Sequence, residues 1–242
     1  MSRPQRIRGV LFDKDGTLLD YGKTWLPINR AVATFAAGGD AGLSTELLRL
    51  GGHDPHTDRI TPGSVLAAGS HDEIAALFAS RLGARTPPHL AREIEQLFRE
   101  GGAQYAVLMD GALDAIETLL RQGLRLGVAT NDSAGGLAAS LGRFPGLLER
   151  FQFLAGCDSG FGVKPDRGMA LAFCRCAGLE PAAMAVVGDA VHDLEMGRRA
   201  GAGLRVGVLG GTSSGADLAP HADMVLERIS QLPAALAALA VL

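Results

Sequence analysis

The chain begins its hydrophobic pattern with a short apolar run, Gly9 to Phe12, in a predicted strand from Ile7 to Phe12 that stops abruptly at the polar cluster Asp13 to Thr17. A run of that length bounded by polar residues reads as a buried strand. From about Tyr21 to Met109 the apolar positions follow a helical period, and no strand pattern stands out. Helices are predicted over Pro27–Ala37, Ser44–Leu50, Asp72–Leu82 and Pro88–Gly102. Pro27 and Pro88 suit first-turn positions and Ser70 suits an N-cap. The stretch His53–Gly69, rich in Gly, Pro, Asp and Thr, reads as an exposed loop.

From Ala112 the rhythm changes to alternating helices and strands. Helices are expected over Ala112–Gln122, Arg167–Ala177 and Leu194–Ala200. Strands are expected over Leu124–Ala129, Phe151–Ala155, Met184–Val187, Leu204–Val208 and Met224–Leu226. These strands are apolar at nearly every position, the mark of a parallel sheet covered by helices on both faces. The predicted fold is therefore α/β, a doubly wound parallel sheet with an inserted α-helical cap. The core is assigned to residues 1–20 and 106–242 and the cap to residues 21–105.

Composition narrows the function. The 242 residues are 47% hydrophobic and 20% charged, with a net charge of −3, so a large core is available and disorder is not expected. Lysines and arginines are scattered, which argues against a nucleic-acid surface. Neither the apolar run at residues 9–12 nor the tail at 232–242 is long enough to cross a bilayer, so a cytoplasmic protein with no membrane partner is expected. The three cysteines, Cys157, Cys174 and Cys176, do not form a disulfide framework, and Cys174 and Cys176 fall on different faces of a predicted helix.

Four polar clusters follow predicted strands or open helices: Asp13-Lys14-Asp15-Gly16-Thr17, Thr130-Asn131, Lys164-Pro165, and Gly188-Asp189 with Asp193. In a doubly wound sheet, ligands bind at the carboxyl ends of the strands, so these clusters converge there. Several carboxylates with oxygen-only ligation suit Mg2+, and Lys164 supplies a neighbouring positive charge. Thr130 and the backbone amides of Gly16 and Asn131 are candidate donors to phosphate oxygens. Lys14, one residue past Asp13, is expected to point away from the phosphate.

Taken in order, these clusters resemble the four signature motifs of the haloacid dehalogenase (HAD) superfamily, and the helical insert resembles the C1-type cap of its phosphoglycolate phosphatase-like branch. The resemblance implies a Mg2+-dependent phosphatase of a small phosphorylated metabolite such as phosphoglycolate. Asp13 would be the nucleophile and Asp15 the general acid and base, with Thr130 and Lys164 stabilising the transferring group. Asp13, the backbone carbonyl of Asp15, Asp189 and Asp193 would hold the metal. Dehalogenases of the superfamily lack the second acid, so Asp15 implies phosphate chemistry. A sugar phosphomutase and a non-catalytic phosphate-ligand binding protein are the alternatives, and the chain is expected as a monomer or homodimer.

Other polar residues receive blander readings. His192 is expected to face solvent from its helix. His53, Asp54, His56 and Asp58 read as a polar cap loop rather than a metal site, since their spacing matches no standard zinc arrangement. Tyr21, Lys23 and Trp25 are candidates to line the cleft, Arg59 is a weak candidate for a substrate carboxylate, and Thr212 to Gly215 reads as a helix cap.

Overall fold

The computed structural model describes residues 6–239. β1 (Gly9–Phe12) is buried at every position. An insertion follows it. Asp20 starts α1 (Tyr21–Ala36) by accepting a hydrogen bond from the Lys23 amide, and Asp40 starts α2 (Ala41–Leu50) in the same way through Leu43. Such caps satisfy amides that the first helical turn leaves unpaired. β2 (His53–Asp54) and β3 (Arg59–Ile60) form a small antiparallel hairpin, followed by the single turn α3 (Val65–Ala68). α4 (His71–Leu82) opens with a capping box between Ser70 and Glu73, and α5 (Leu90–Tyr105) closes the insertion.

The remaining elements alternate: α6 (Ala112–Arg121), β4 (Arg125–Ala129), α7 (Ala134–Gly142), β5 (Phe153–Ala155), α8 (Gly168–Ala177) and β6 (Met184–Gly188). Then come α9 (Val191–Ala200), β7 (Leu204–Val208), α10 (Gly215–Leu218), β8 (Met224–Leu226) and α11 (Leu232–Leu239). The six long-range strands form one parallel sheet in the order β5-β4-β1-β6-β7-β8. β1 is central, and Phe12 is in register with Val128 on one side and Val187 on the other. The carboxyl ends of β1, β4 and β6 therefore lie level. The order of the strands reverses here, which opens a crevice above them.

Strand alternation divides the core into two layers. Val10, Phe12, Leu126 and Val128 pack on one face with Ile116 and Leu119 of α6. Leu11, Ala129 and Val186 pack on the other with Phe173 of α8 and Met196 of α9. The insertion has a separate core in which Ile28, Val32, Leu47, Phe78 and Ile94 meet. Its two connections to the sheet are bonded to each other: the Asp20 amide donates to Val107 O at 2.8 Å, and the Val107 amide to Thr24 Oγ1 at 3.1 Å. The insertion thus stands over the crevice.

The sheet and the helical insertion agree with the sequence reading, and several boundaries differ. Pro27 lies inside α1, because Asp20 starts that helix six residues earlier. Pro88 precedes α5 rather than opening it. The β2–β3 hairpin falls in the stretch read as loop, since two-residue strands are too short to display a period of two. α9 begins at Val191 rather than Leu194, because Asp193 accepts from the Ala190 amide and stabilises the first turn. Cys174 is buried and Cys176 exposed, on different faces of α8 as expected. No helix among the described residues is long and apolar enough to cross a membrane.

Phe78 is wholly buried in the core of the insertion. Phe78→Ala is expected to lower stability by about 3–5 kcal/mol, through lost burial and the cavity left behind. Urea unfolding would measure this, and a change below about 1 kcal/mol would mean that the insertion repacks freely.

Candidate active site

β1 ends at Asp13, whose amide donates to Val187 O at 2.8 Å and so extends the pairing with β6. Its carboxylate is buried, and Oδ1 accepts from Lys164 Nζ at 2.5 Å. The same ammonium donates to Asp193 Oδ1 at 2.6 Å. Asp189 follows β6, and one carboxylate oxygen each from Asp13, Asp189 and Asp193 lies within 4.8 Å of the others. Among the described residues no other group of three or more acidic, His or Cys side chains converges in this way.

Three buried carboxylates around one ammonium are short of positive charge. Burial, opposed by Lys164 and reinforced by Asp193 and Asp15, pushes Asp13 up to about 7. Burial and the charges of Asp13 and Asp193 push Asp189 well above the usual carboxylate range. For Asp193, burial acts upward but is outweighed by Lys164 and His192, which hold it below the usual range. Lys164 stays charged: burial acts downward, and Asp13 and Asp193 more than compensate. Asp13 Oδ2 is buried with no hydrogen-bond partner. Three converging carboxylates, an all-oxygen set with unbalanced negative charge, are what a hard divalent cation would satisfy, so the residues present fit such an ion.

Loops from neighbouring strands complete the floor. Thr130, at the end of β4, is buried, and its Oγ1 accepts from the Asp132 amide at 3.0 Å. Asn131 clamps the Lys164 backbone, its Oδ1 accepting from Lys164 N at 2.8 Å and its Nδ2 donating to Lys164 O at 3.3 Å. The expectation that the Gly16 amide is available to a phosphate is corrected, because that amide donates to Leu19 O at 2.7 Å. Gly16 instead provides a close approach at a φ of 83°. A Cβ there would lie 2.6 Å from Gly211 Cα and 2.7 Å from the Asp189 carboxylate.

Lys14 also departs from expectation. Its side chain is fully buried, with Nζ 2.8 Å from Asp15 Oδ2 and 2.9 Å from Asp132 Oδ2. The chain turns immediately after β1, so strand alternation does not extend to Lys14. Burial acts to lower its pKa, but Asp132 and Asp15 outweigh that and hold it above the ordinary lysine range. The ammonium also lies 4.6 Å from the centre of the Trp25 ring, and Trp25 Nε1 donates to Asp15 Oδ1 at 2.6 Å. The Asp15 carboxylate is thus held by Lys14 and by the insertion, and it is not part of the three-acid cluster. Burial raises its pKa, with Lys14 opposing.

Between floor and insertion lies a cavity of about 370 Å³. Asp13, Asp189, Thr130 and Asn131 line it from the core, and Tyr21, Trp25, Leu66, His71 and Phe98 from the insertion. Lys23 and Arg59 are exposed and do not line it. His192 does, half-buried rather than facing solvent, with Nε2 3.5 Å from Asp193 Oδ1. The earlier start of α9 turns it inward. Sequence reasoning also missed part of the loop after β7. Ser214 caps α10 as expected, while the Thr212 amide donates to Asp189 Oδ2 at 3.2 Å. A Cβ on Gly211 would lie 1.8 Å from that oxygen, so the Gly-Gly-Thr run was the available signal. In the hairpin, His53 and Arg30 both bond Asp58, tying β2 to α1.

An acid-rich, cation-fitting crevice at the switch point of a parallel sheet, roofed by helices, is the ligand site of a doubly wound α/β protein. The chain belongs to the haloacid dehalogenase-like hydrolases, whose family model matches residues 7–201. It is 29% identical over 196 residues to an N-acetylmuramic acid 6-phosphate phosphatase of Pseudomonas putida, covering 81% of this chain and 80% of that protein. It is 28% identical to the phosphoglycolate phosphatase of Chromobacterium violaceum, over 94% of this chain and 96% of the relative. The fold matches the crystal structure of a predicted phosphoglycolate phosphatase from Haemophilus somnus, with a TM-score of 0.71 and 19% identity. That match covers 93% of this chain and 96% of the other.

Removing the buried Lys14 charge leaves Asp15 and Asp132 facing each other uncompensated. Lys14→Met is expected to cost about 3 kcal/mol of stability in denaturant unfolding. An unchanged unfolding midpoint would mean that the pairings contribute nothing.

Proposed function

We propose that this enzyme hydrolyses phosphate monoesters of small organic molecules through a phosphorylated aspartate at Asp13. The observation that carries this reading is the asymmetry of the Asp13 carboxylate: Lys164 holds Oδ1, while the buried Oδ2 has no partner. That oxygen is available for attack on phosphorus. The family and the names of the curated relatives, which are phosphatases, support hydrolysis of phosphoric monoesters.

In the first step a bond forms between Asp13 Oδ2 and phosphorus as the ester P–O bond breaks, and Asp15 gives its proton to the leaving oxygen. Its raised pKa suits an acid that must begin protonated. In the second step Asp15 takes a proton from water, the water oxygen bonds to phosphorus, and Asp13 is released. Lys164 offsets charge on the transferring group, and the Thr130 hydroxyl and Asn131 amide donate to its oxygens. Mg2+ would be held by Asp13, Asp189, Asp193 and the backbone carbonyl of Asp15, and it would neutralise charge on the phosphoryl oxygens. Trp25 and Lys14 fix Asp15 in place, and the roof formed by the insertion keeps bulk water from the acyl phosphate. The substrate is a small phosphorylated metabolite, with the phosphoglycolate and N-acetylmuramic acid 6-phosphate of the relatives as starting points for assay.

Asp13→Asn is expected to reduce phosphate release from a panel of esters by at least about 10³-fold, with the fold intact by circular dichroism. Chelation is expected to stop release by the unmutated enzyme, and added Mg2+ to restore it. Retention of more than about a tenth of the activity by Asp13→Asn would sink the nucleophile assignment.

A further inference from the structure

The charges around the cavity bear on what the leaving group can be. Five carboxylates line it: Asp13, Asp15, Asp132, Asp189 and Asp217. Among the described residues that line it there is no lysine and no arginine. The two ammonium groups beside these acids are buried in ion pairs. Lys164 is wholly buried between Asp13 and Asp193, and Lys14 between Asp15 and Asp132. Each already faces two carboxylates. One divalent cation, added to these two ammoniums, still leaves the site negative before a phosphate arrives.

On the phosphatase reading the phosphate would sit beside Lys164 and the three-acid cluster. A second anion on the leaving group would sit further out, against the wall of the insertion. That wall offers aromatic and aliphatic surface, with Trp25 and Phe98 in contact, His71 stacked on Phe98 at 4.8 Å, and Leu66 and Ile74 beside them. Such a surface suits the C–H faces of a sugar or polyol and offers a carboxylate no lysine or arginine, only the Ser70 hydroxyl and the His71 ring. On the other side stand Asp132 and, at the rim, exposed Asp217, which would repel a carboxylate. The cavity is also roomy for a two-carbon ester, at about 370 Å³.

Resting on the phosphatase reading, we propose that the enzyme selects esters whose only anion is the phosphate, with an uncharged polyhydroxylated leaving group. Esters with a carboxylate in the leaving group are poor substrates. The site therefore differs in preference from the relatives named for phosphoglycolate and for N-acetylmuramic acid 6-phosphate, both of which carry a carboxylate.

The test compares esters that differ only in that charge: 2-hydroxyethyl phosphate with phosphoglycolate, glycerol 3-phosphate with 3-phosphoglycerate, and sorbitol 6-phosphate with 6-phosphogluconate. p-Nitrophenyl phosphate serves as the general substrate, and all assays contain Mg2+. The neutral member of each pair is expected to have about tenfold or greater kcat/KM, a gap that narrows with added salt. Ala67→Arg, which places a cation on the cavity wall, should shrink the gap, read as the ratio of kcat/KM within each pair. Equal or better turnover of the carboxylate members by the unmutated enzyme overturns the inference and leaves the phosphatase reading standing. No release from any ester, p-nitrophenyl phosphate included, overturns the phosphatase reading and the inference with it. If Ala67→Arg does not fold, the paired substrates alone decide.

Discussion

The structure turns on one ammonium group. Lys164 Nζ sits between Asp13 and Asp193, fully removed from solvent, and its backbone is gripped on both sides by the Asn131 side chain. Residues from four distant stretches of chain are joined at this point. A buried charge of this kind is tolerable only with close, complementary partners, so the positions of β1, β4 and β6 and of the first turn of α9 are all constrained by it. The level carboxyl ends of those strands make the meeting possible, and ion pairs of 2.5 and 2.6 Å hold it.

A second ammonium repeats the device one step away. Lys14 balances Asp15 and Asp132 as Lys164 balances Asp13 and Asp193, and so the acids divide into two sets. One set gathers around the cation pocket. The other is turned toward the insertion, where Trp25 both covers Lys14 and donates to Asp15. Two neighbouring carboxylates in one short motif thereby acquire different surroundings, which suits them to different chemistry. The insertion contributes to the site directly through Trp25, while its aromatic wall shapes the space left for the leaving group.

Much of the core was legible in advance, because buried parallel strands are apolar along their whole length and end sharply at polar residues. β7 and β8 match the sequence reading residue for residue, and β4 and β6 within one. The meeting of Asp13, Lys164, Asp189 and Asp193 was legible for the same reason, since strand ends in this topology share one edge. The inward turn of His192 was not, because it depended on where α9 starts, and a capping bond from Asp193 sets that. Gly16 was mistaken for a free donor because its bond to Leu19 belongs to a tight local fold of the loop that leaves no periodic trace. The contact of Thr212 with Asp189 joins loops 23 residues apart, beyond any local pattern.

The sequence by itself determined the class of fold, the presence of a helical insertion after β1, and the set of polar residues delivered to the sheet's edge. These follow from periodicity and from the order of strands, which are local properties of the chain. Tertiary structure alone decided how the charges pair. Lys14, set aside from sequence as pointing away, became a buried partner of Asp15 and Asp132 because the turn after Phe12 rotates it beneath the roof of the insertion. Which carboxylate meets which ammonium, and which oxygen of Asp13 is left without a partner, depends on distances of a few ångströms between segments remote in sequence, and only packing sets those distances.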